Sequence, residues 1–235
     1  MDEKNFGNIL TIILIILIVA ILGILVYFGY STFRESKIQA NADTALKDFN
    51  ESNKNKKPVN KVEDTVSDTT DRPQINLDGM GEDLDNTTVE NPQEKPVTEK
   101  EKVYMENYEV IGSIKIPKTG IEYPILERQT TRALELAITK LHGVGLNEIG
   151  NVTLTGHNYR NGLFFSNNKK LTNGDKVYIT DNNGTTITYI IYNMYYTTPD
   201  DASYMTRDTN GKREISLSTC SDDSATRLII LAAEQ

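Results

Sequence analysis

Cys220 closes the string Ile215-Ser216-Leu217-Ser218-Thr219-Cys220 and is the only cysteine in the chain. Arg227 follows it closely. Upstream, Thr153-Leu154-Thr155-Gly156-His157-Asn158 carries one of only two histidines. A lone cysteine has no internal disulfide partner, and a thiol beside an imidazole supplies a nucleophile and the group that moves its proton. The thiolate is the reactive species. Histidine titrates near neutrality and can serve as base and then acid. Arginine keeps its charge and offers a planar fork of donors to a developing oxyanion or a substrate carbonyl. Taken singly each residue has an ordinary reading: a small buried thiol, a turn histidine, a solvated surface charge. No carboxylate is fixed by spacing as an orienting partner for the histidine.

These three groups need a scaffold that brings distant segments together. Segments 111–116 and 121–126 read as strands parted by Pro117-Lys118-Thr119-Gly120. Segment 131–141 places Ala133, Leu134, Ala137, Ile138 and Leu141 on one helical face. Segment 151–155 is a strand that ends at Gly156. Segments 176–180 and 185–196 are strands joined through Asp181-Asn182-Asn183-Gly184, whose Asn-Gly suits a tight hairpin. Segments 214–219 and 226–233 are two more. Many short strands with turn signals and no strand–helix alternation predict an all-β fold, a small closed barrel. If 214–219 and 226–233 pair antiparallel, Cys220 and Arg227 face each other at one barrel edge. His157 also follows a strand end, so all three are expected to meet at an open edge, in a groove wide enough for an extended peptide.

The amino-terminal part is of another kind. Residues 9–30 form an almost unbroken apolar run, interrupted by Thr11, Gly23 and Gly29. That length of helix rises about 30 Å, enough to cross a bilayer, and is longer than the apolar region of a cleaved signal peptide. Beyond it Ile38, Ala42, Ala45, Leu46 and Phe49 recur at helical spacing, so the helix is expected to continue for a few turns. From about 50 to 102 the chain is charged, rich in Asn, Asp and Pro, and poor in large apolar residues. It reads as a solvated linker, with a short ordered patch at 75–80. The net charge of −8 and the lack of a basic patch exclude a nucleic-acid partner. No Cys or His spacing suits a structural zinc site. Asp200, Asp201 and Asp208 offer hard oxygen ligands, and calcium there is the lesser expectation beside no cofactor at all.

Thr155-Gly156-His157-Asn158, Leu217-Ser218-Thr219-Cys220 and Arg227-Leu228-Ile229-Ile230 together resemble the three signature segments of the sortases. Gly112-Ser113-Ile114-Lys115-Ile116-Pro117, with Tyr123-Pro124-Ile125, is similar to the first two strands of that family. The resemblance implies an eight-stranded β-barrel preceded by a transmembrane helix, with domains at 1–8 (cytoplasmic), 9–30 (transmembrane), 31–102 (extracellular stalk, helical at its start) and 103–235 (catalytic). It implies a cysteine transpeptidase of Gram-positive cell surfaces that cuts a Leu-Pro-x-Thr-Gly-like sorting motif and passes the acyl group to a cell-wall or protein amine. Carried across, Cys220 is the nucleophile, His157 the acid/base and Arg227 the clamp on substrate and oxyanion, with Thr219 and Asn158 contacting substrate. Segment 156–162 is similar to class B, whereas 158–219 is short for that class and fits class D equally. His142 is expected in a loop, outside the chemistry. A non-enzymatic, membrane-anchored surface binding protein is the alternative. Ile116-Pro117-Lys118-Thr119-Gly120 has the look of a sorting motif itself, but a folded domain follows it and a turn is the simpler reading.

Overall fold

The computed structural model describes residues 3–54 and 102–235, with side chains from residue 11 onward. Two helices and nine strands organise them: α1 (Glu3–Lys54), β1 (Tyr104–Met105), β2 (Tyr108–Ile116), β3 (Ile121–Leu126), α2 (Thr131–Leu136), β4 (Ile138–Gly143), β5 (Gly150–Thr155), β6 (Lys176–Asp181), β7 (Thr186–Thr197), β8 (Arg213–Cys220) and β9 (Arg227–Glu234). Strands β2 to β9 follow one another in the order β2-β3-β4-β5-β8-β9-β7-β6, and β6 pairs back onto β2. That return pairing closes an eight-stranded barrel and leaves no free edge. The two-residue β1 forms a small antiparallel ladder with the start of β2.

The interior is filled by alternating side chains. In β2, Val110, Ile114 and Ile116 are buried; Ile125, Leu154, Ile179, Leu217 and Ile230 are at or near full burial from the other walls. Residues of β8 point inward and outward at successive positions, yet nearly all are buried because the loop before β8 covers the outer face, with Ser216 donating to the Tyr204 carbonyl and Arg207 pairing with Glu214. The β6–β7 hairpin turns as its Asn-Gly predicts. Gly184 adopts φ +81°, a left-handed conformation that costs glycine nothing. The Asp181 carboxylate accepts from the backbone N–H of Asn183 and of Thr185.

Two elements differ from their expected extent. The helix expected over 131–141 stops at Leu136, and Ile138–Gly143 is strand β4, lying parallel to β3 and antiparallel to β5. Apolar residues at 137, 138 and 141 satisfy either periodicity, and the β-branched Ile138 and Thr139 fit the ladder that two neighbouring strands offer. His142 therefore lies in β4, paired in register with Thr153 and exposed, rather than in a loop.

The second difference is α1, which runs as one helix to Lys54. Its residues 12–30 are exposed and carry no polar side chain other than the Tyr hydroxyls, compatible with a membrane anchor. Beyond them Ala42, Ala45, Leu46 and Phe49 are buried, and all but Leu46 belong to the barrel's own core cluster. The Tyr123 hydroxyl donates to Gln39 Oε1 at 2.7 Å, and Asn53 Nδ2 donates to the Asp181 carbonyl at 3.3 Å. Segment 31–54, expected as the head of a stalk, is thus a helix packed against the barrel. The linker reading for 50–102, beyond the helical 50–54, and the ordered patch at 75–80 lie outside the described residues.

Candidate active site

Strand pairing assembles the site. β8 and β9 are antiparallel neighbours whose last register pair is Cys220 with Arg227. The segment between them is a tight turn, with Ser221 N donating to the Thr226 carbonyl at 2.9 Å and Ser221 Oγ to the same oxygen at 3.0 Å. Arg227 Nη1 is aimed at Cys220 Sγ from 4.0 Å. β5 runs parallel to β8, with Thr155 level with Ser218. Gly156 N donates to the Ser218 carbonyl at 3.3 Å, and His157 follows directly, at the end of the barrel where β8 reaches Cys220. Gly156 sits in a crowded place between β5 and the His157 loop. A Cβ there would meet Ile138 Cδ1 at 2.5 Å and the Phe165 ring at 3.1 Å, so a larger residue would force those two buried side chains to shift. The structure accordingly brings His157, Cys220 and Arg227 to one end of three adjacent strands.

The two residues expected to touch substrate are used internally. Thr219 is buried, and its hydroxyl donates to the Gly156 carbonyl at 2.8 Å. This bond ties the strand carrying the cysteine to the strand leading to the histidine. Asn158 Nδ2 donates to the Cys220 carbonyl at 3.0 Å and to Asp222 Oδ1 at 2.9 Å, while its Oδ1 accepts from Arg160 N at 3.1 Å. Lys169 pairs with the other oxygen of Asp222. Asn158 therefore staples the His157 loop to the Cys220 turn. The cavity bordering Cys220 beside Asn158, Ser166, Tyr196 and Leu228 has only about 10 Å³, room for about one water.

His157 is half-buried, and burial pushes its pKa below the ordinary 6.5, partly opposed by the negative charge of Glu135 on α2. The imidazole is then neutral at pH 7 and able to accept a proton. The unfolded chain, with the ordinary pKa, takes up this proton first as pH falls. Stability contributed by the neutral imidazole is therefore fully present above 6.5 and is lost as pH drops through the lower folded pKa. Carboxylates held below their usual range by partners, such as Asp222 by Lys169 and Asn158 and Glu234 by Arg213, give up their share only in stronger acid. We expect the unfolding midpoint to decline from pH 7.5 to 5.5, and His157→Gln to flatten that decline. An unchanged slope in the variant would contradict the assignment.

The family model described as "Sortase domain" matches residues 114–235, which spans β3 to β9 and all three site residues. The chain belongs to the sortase family. It is 32% identical over 117 residues to "Sortase A" of Bacillus anthracis, covering 49% of this chain and 54% of the relative. It is also 32% identical over 134 residues to "Sortase A" of Streptococcus agalactiae, covering 54% and 53%. The chain thus spans about half the length of the curated relatives it matches. Among solved structures, "Sortase A from Corynebacterium diphtheriae, lid mutant" aligns with a TM-score of 0.50 at 28% identity, over 55% of this chain and 71% of that one.

Other side chains of this sortase domain carry no sequence signal for their part in the site. Tyr159 stacks on His157 with ring centroids 4.7 Å apart, and Asp222 and Lys169 lock the turn after Cys220. In the loop before β8, Asp201 accepts from Thr197 Oγ1 and Ser203 N, and Asp208 from Asn210 N. Arg207 also ties this loop down, pairing with Glu214 and donating to Tyr192 and Asn151. Among the described residues no three His, Cys, Asp or Glu side chains are grouped for a metal ion. Ile116-Pro117-Lys118-Thr119-Gly120 is a turn, closed by Gly120 N donating to the Ile116 carbonyl at 3.0 Å.

Proposed function

We propose that this sortase is a membrane-anchored cysteine transpeptidase that cleaves a Leu-Pro-x-Thr-Gly-like sorting motif between Thr and Gly. Its products are surface proteins joined to an amine of a cell-wall precursor or of another protein. The observation that carries the reading is the register pairing of Cys220 with Arg227, beside the parallel strand that delivers His157. His157, neutral at pH 7, takes the Cys220 proton. The Cys220 sulfur attacks the threonine carbonyl carbon, and the negative charge moves to its oxygen, where the Arg227 fork can donate. The C–N bond breaks as the His157 imidazolium protonates the departing glycine amine, leaving a thioester. An incoming amine gives a proton to His157, attacks the thioester carbon and releases the Cys220 sulfur with the new amide formed. Thr219 and Asn158 act by holding Cys220 and His157 in register. No step needs a metal or cofactor.

The apolar α1 span suits a single-pass anchor, with the barrel on the outer face where sorting signals and wall amines are found. Incubating the protein with a sorting-motif peptide and a glycine-based amine tests the reading: a Thr-amide product is expected, and hydrolysis or inertness with every such peptide would oppose it. Residues 57–101 have too few apolar side chains to form a core. Replacing them with a Gly/Ser linker of equal length is expected to leave turnover of a soluble peptide unchanged. A large drop would place a substrate contact in that segment.

A further inference from the structure

Tyr159 takes no part in the chemistry just described, yet it is the aromatic neighbour of the histidine. Its ring lies 4.7 Å from that of His157 at an interplanar angle of 31°. On its other side Tyr159 meets Phe164, centroids 5.7 Å apart, and Phe164 meets Tyr123 at 4.9 Å. The Tyr123 hydroxyl donates to Gln39 on α1. A continuous line of contacts therefore runs from the anchor helix to the imidazole. Tyr159, Asn161 and Leu163 also form one wall of a cavity of about 190 Å³ whose opposite wall is Ser31, Arg34, Glu35 and Ile38 of α1.

The loop needs such a support. Arg160 and Phe164 hold left-handed backbone conformations, φ +61° and +51°, which cost energy for residues with a side chain. They are kept there by full burial of Phe164, by Phe165 N donating to the His157 carbonyl, and by Ser166 Oγ accepting from Tyr159 N. The inner side of the loop rests on the barrel, and α1 stands against its outer side. The charged groups facing the pair are Glu135 from α2 and Arg34 from α1.

We propose that Tyr159, braced by segment 31–54 of α1, is a positioning residue that fixes the His157 ring, so that the extramembrane half of the anchor helix is a working part of the active site. This rests on His157 serving as the acid/base. Small displacements of a reacting group cost large factors in rate. The side chain matters through its ring, so Tyr159→Phe should retain the function and Tyr159→Leu should lose it. Ala42→Glu places a charge where α1 is fully buried on the barrel and should lift the helix away.

The test uses the full chain in lipid nanodiscs, with ¹³C-labelled histidine. Two histidines give two imidazole signals, and His142→Gln assigns them. In Tyr159→Leu the His157 signal should move and its pKa should rise toward the ordinary value as water reaches the ring. kcat should fall about tenfold or more with KM little changed, and Tyr159→Phe should behave as the parent. Ala42→Glu, or Gln39→Ala if that variant does not fold, should shift His157 in the same direction. An unmoved His157 signal with parental kcat in Tyr159→Leu overturns the proposal. A shift in Tyr159→Leu with none in either helix variant removes α1 from it. The His157 signal is read independently of turnover, so failure of the transpeptidase reading, seen as activity surviving in Cys220→Ala, is a separate outcome.

Discussion

Cys220→Ala is expected to abolish both peptide cleavage and amine transfer while leaving the barrel folded. Cys220 sits at the end of β8, partly exposed, and its sulfur is approached by Arg227 Nη1 at 4.0 Å. Removing the sulfur opens no cavity in the core, and the carbonyl and amide of residue 220 keep their partners in Asn158 and β9. A partly exposed substitution of this kind changes stability by about 0.5 kcal/mol or less. The chemistry, by contrast, has no second thiol to fall back on. Turnover near the parental rate in a folded Cys220→Ala variant would mean that another group attacks the substrate.

Arg227→Lys is expected to lower kcat by roughly 10²–10³-fold, the loss typical of one oxyanion donor, with the melting temperature almost unmoved. Both side chains carry one positive charge, so a purely electrostatic role would survive the exchange. They differ in shape: guanidinium is a rigid planar fork, ammonium a compact point donor on a flexible stem. The β8–β9 register fixes the Cα of Arg227 opposite that of Cys220, so the fork reaches the thiol from a defined direction. Near-parental kcat in Arg227→Lys would shift oxyanion stabilisation to backbone amides beside Cys220 and leave Arg227 as general charge.

Much of this arrangement is written locally in the chain. Strands 214–219 and 226–233 carry dense apolar and β-branched residues, and the hydrophilic turn 221–226 between them leaves an antiparallel pair as the natural outcome. The meeting of Cys220 and Arg227 follows from that alone. The place of His157 does not, because β5 and β8 are far apart in sequence and their parallel register is set by the whole barrel. Strand β4 was hidden because Ala137, Ile138 and Leu141 satisfy a helical as well as an extended period, and only the ladder partners of β3 and β5 decide between them. The reach of α1 was partly visible in the spacing of Ile38 to Phe49, but nothing local says that this face docks on the barrel. The bonds that Asn158 and Thr219 make within the fold were not legible for a related reason. Both are polar residues next to reactive ones, and the sequence cannot tell whether such a group faces a ligand or closes a bond between neighbouring strands.

The claim that Cys220 becomes acylated is tested most directly by intact-mass and peptide-mapping analysis of the protein incubated with a Leu-Pro-x-Thr-Gly peptide and no amine, then quenched in acid. The account predicts a mass increase equal to the peptide fragment ending at threonine, mapped to the segment containing Cys220 and discharged when an amine or hydroxylamine is added. An adduct mapped to any other residue, or cleavage between Thr and Gly with no adduct ever detected on Cys220, would contradict it.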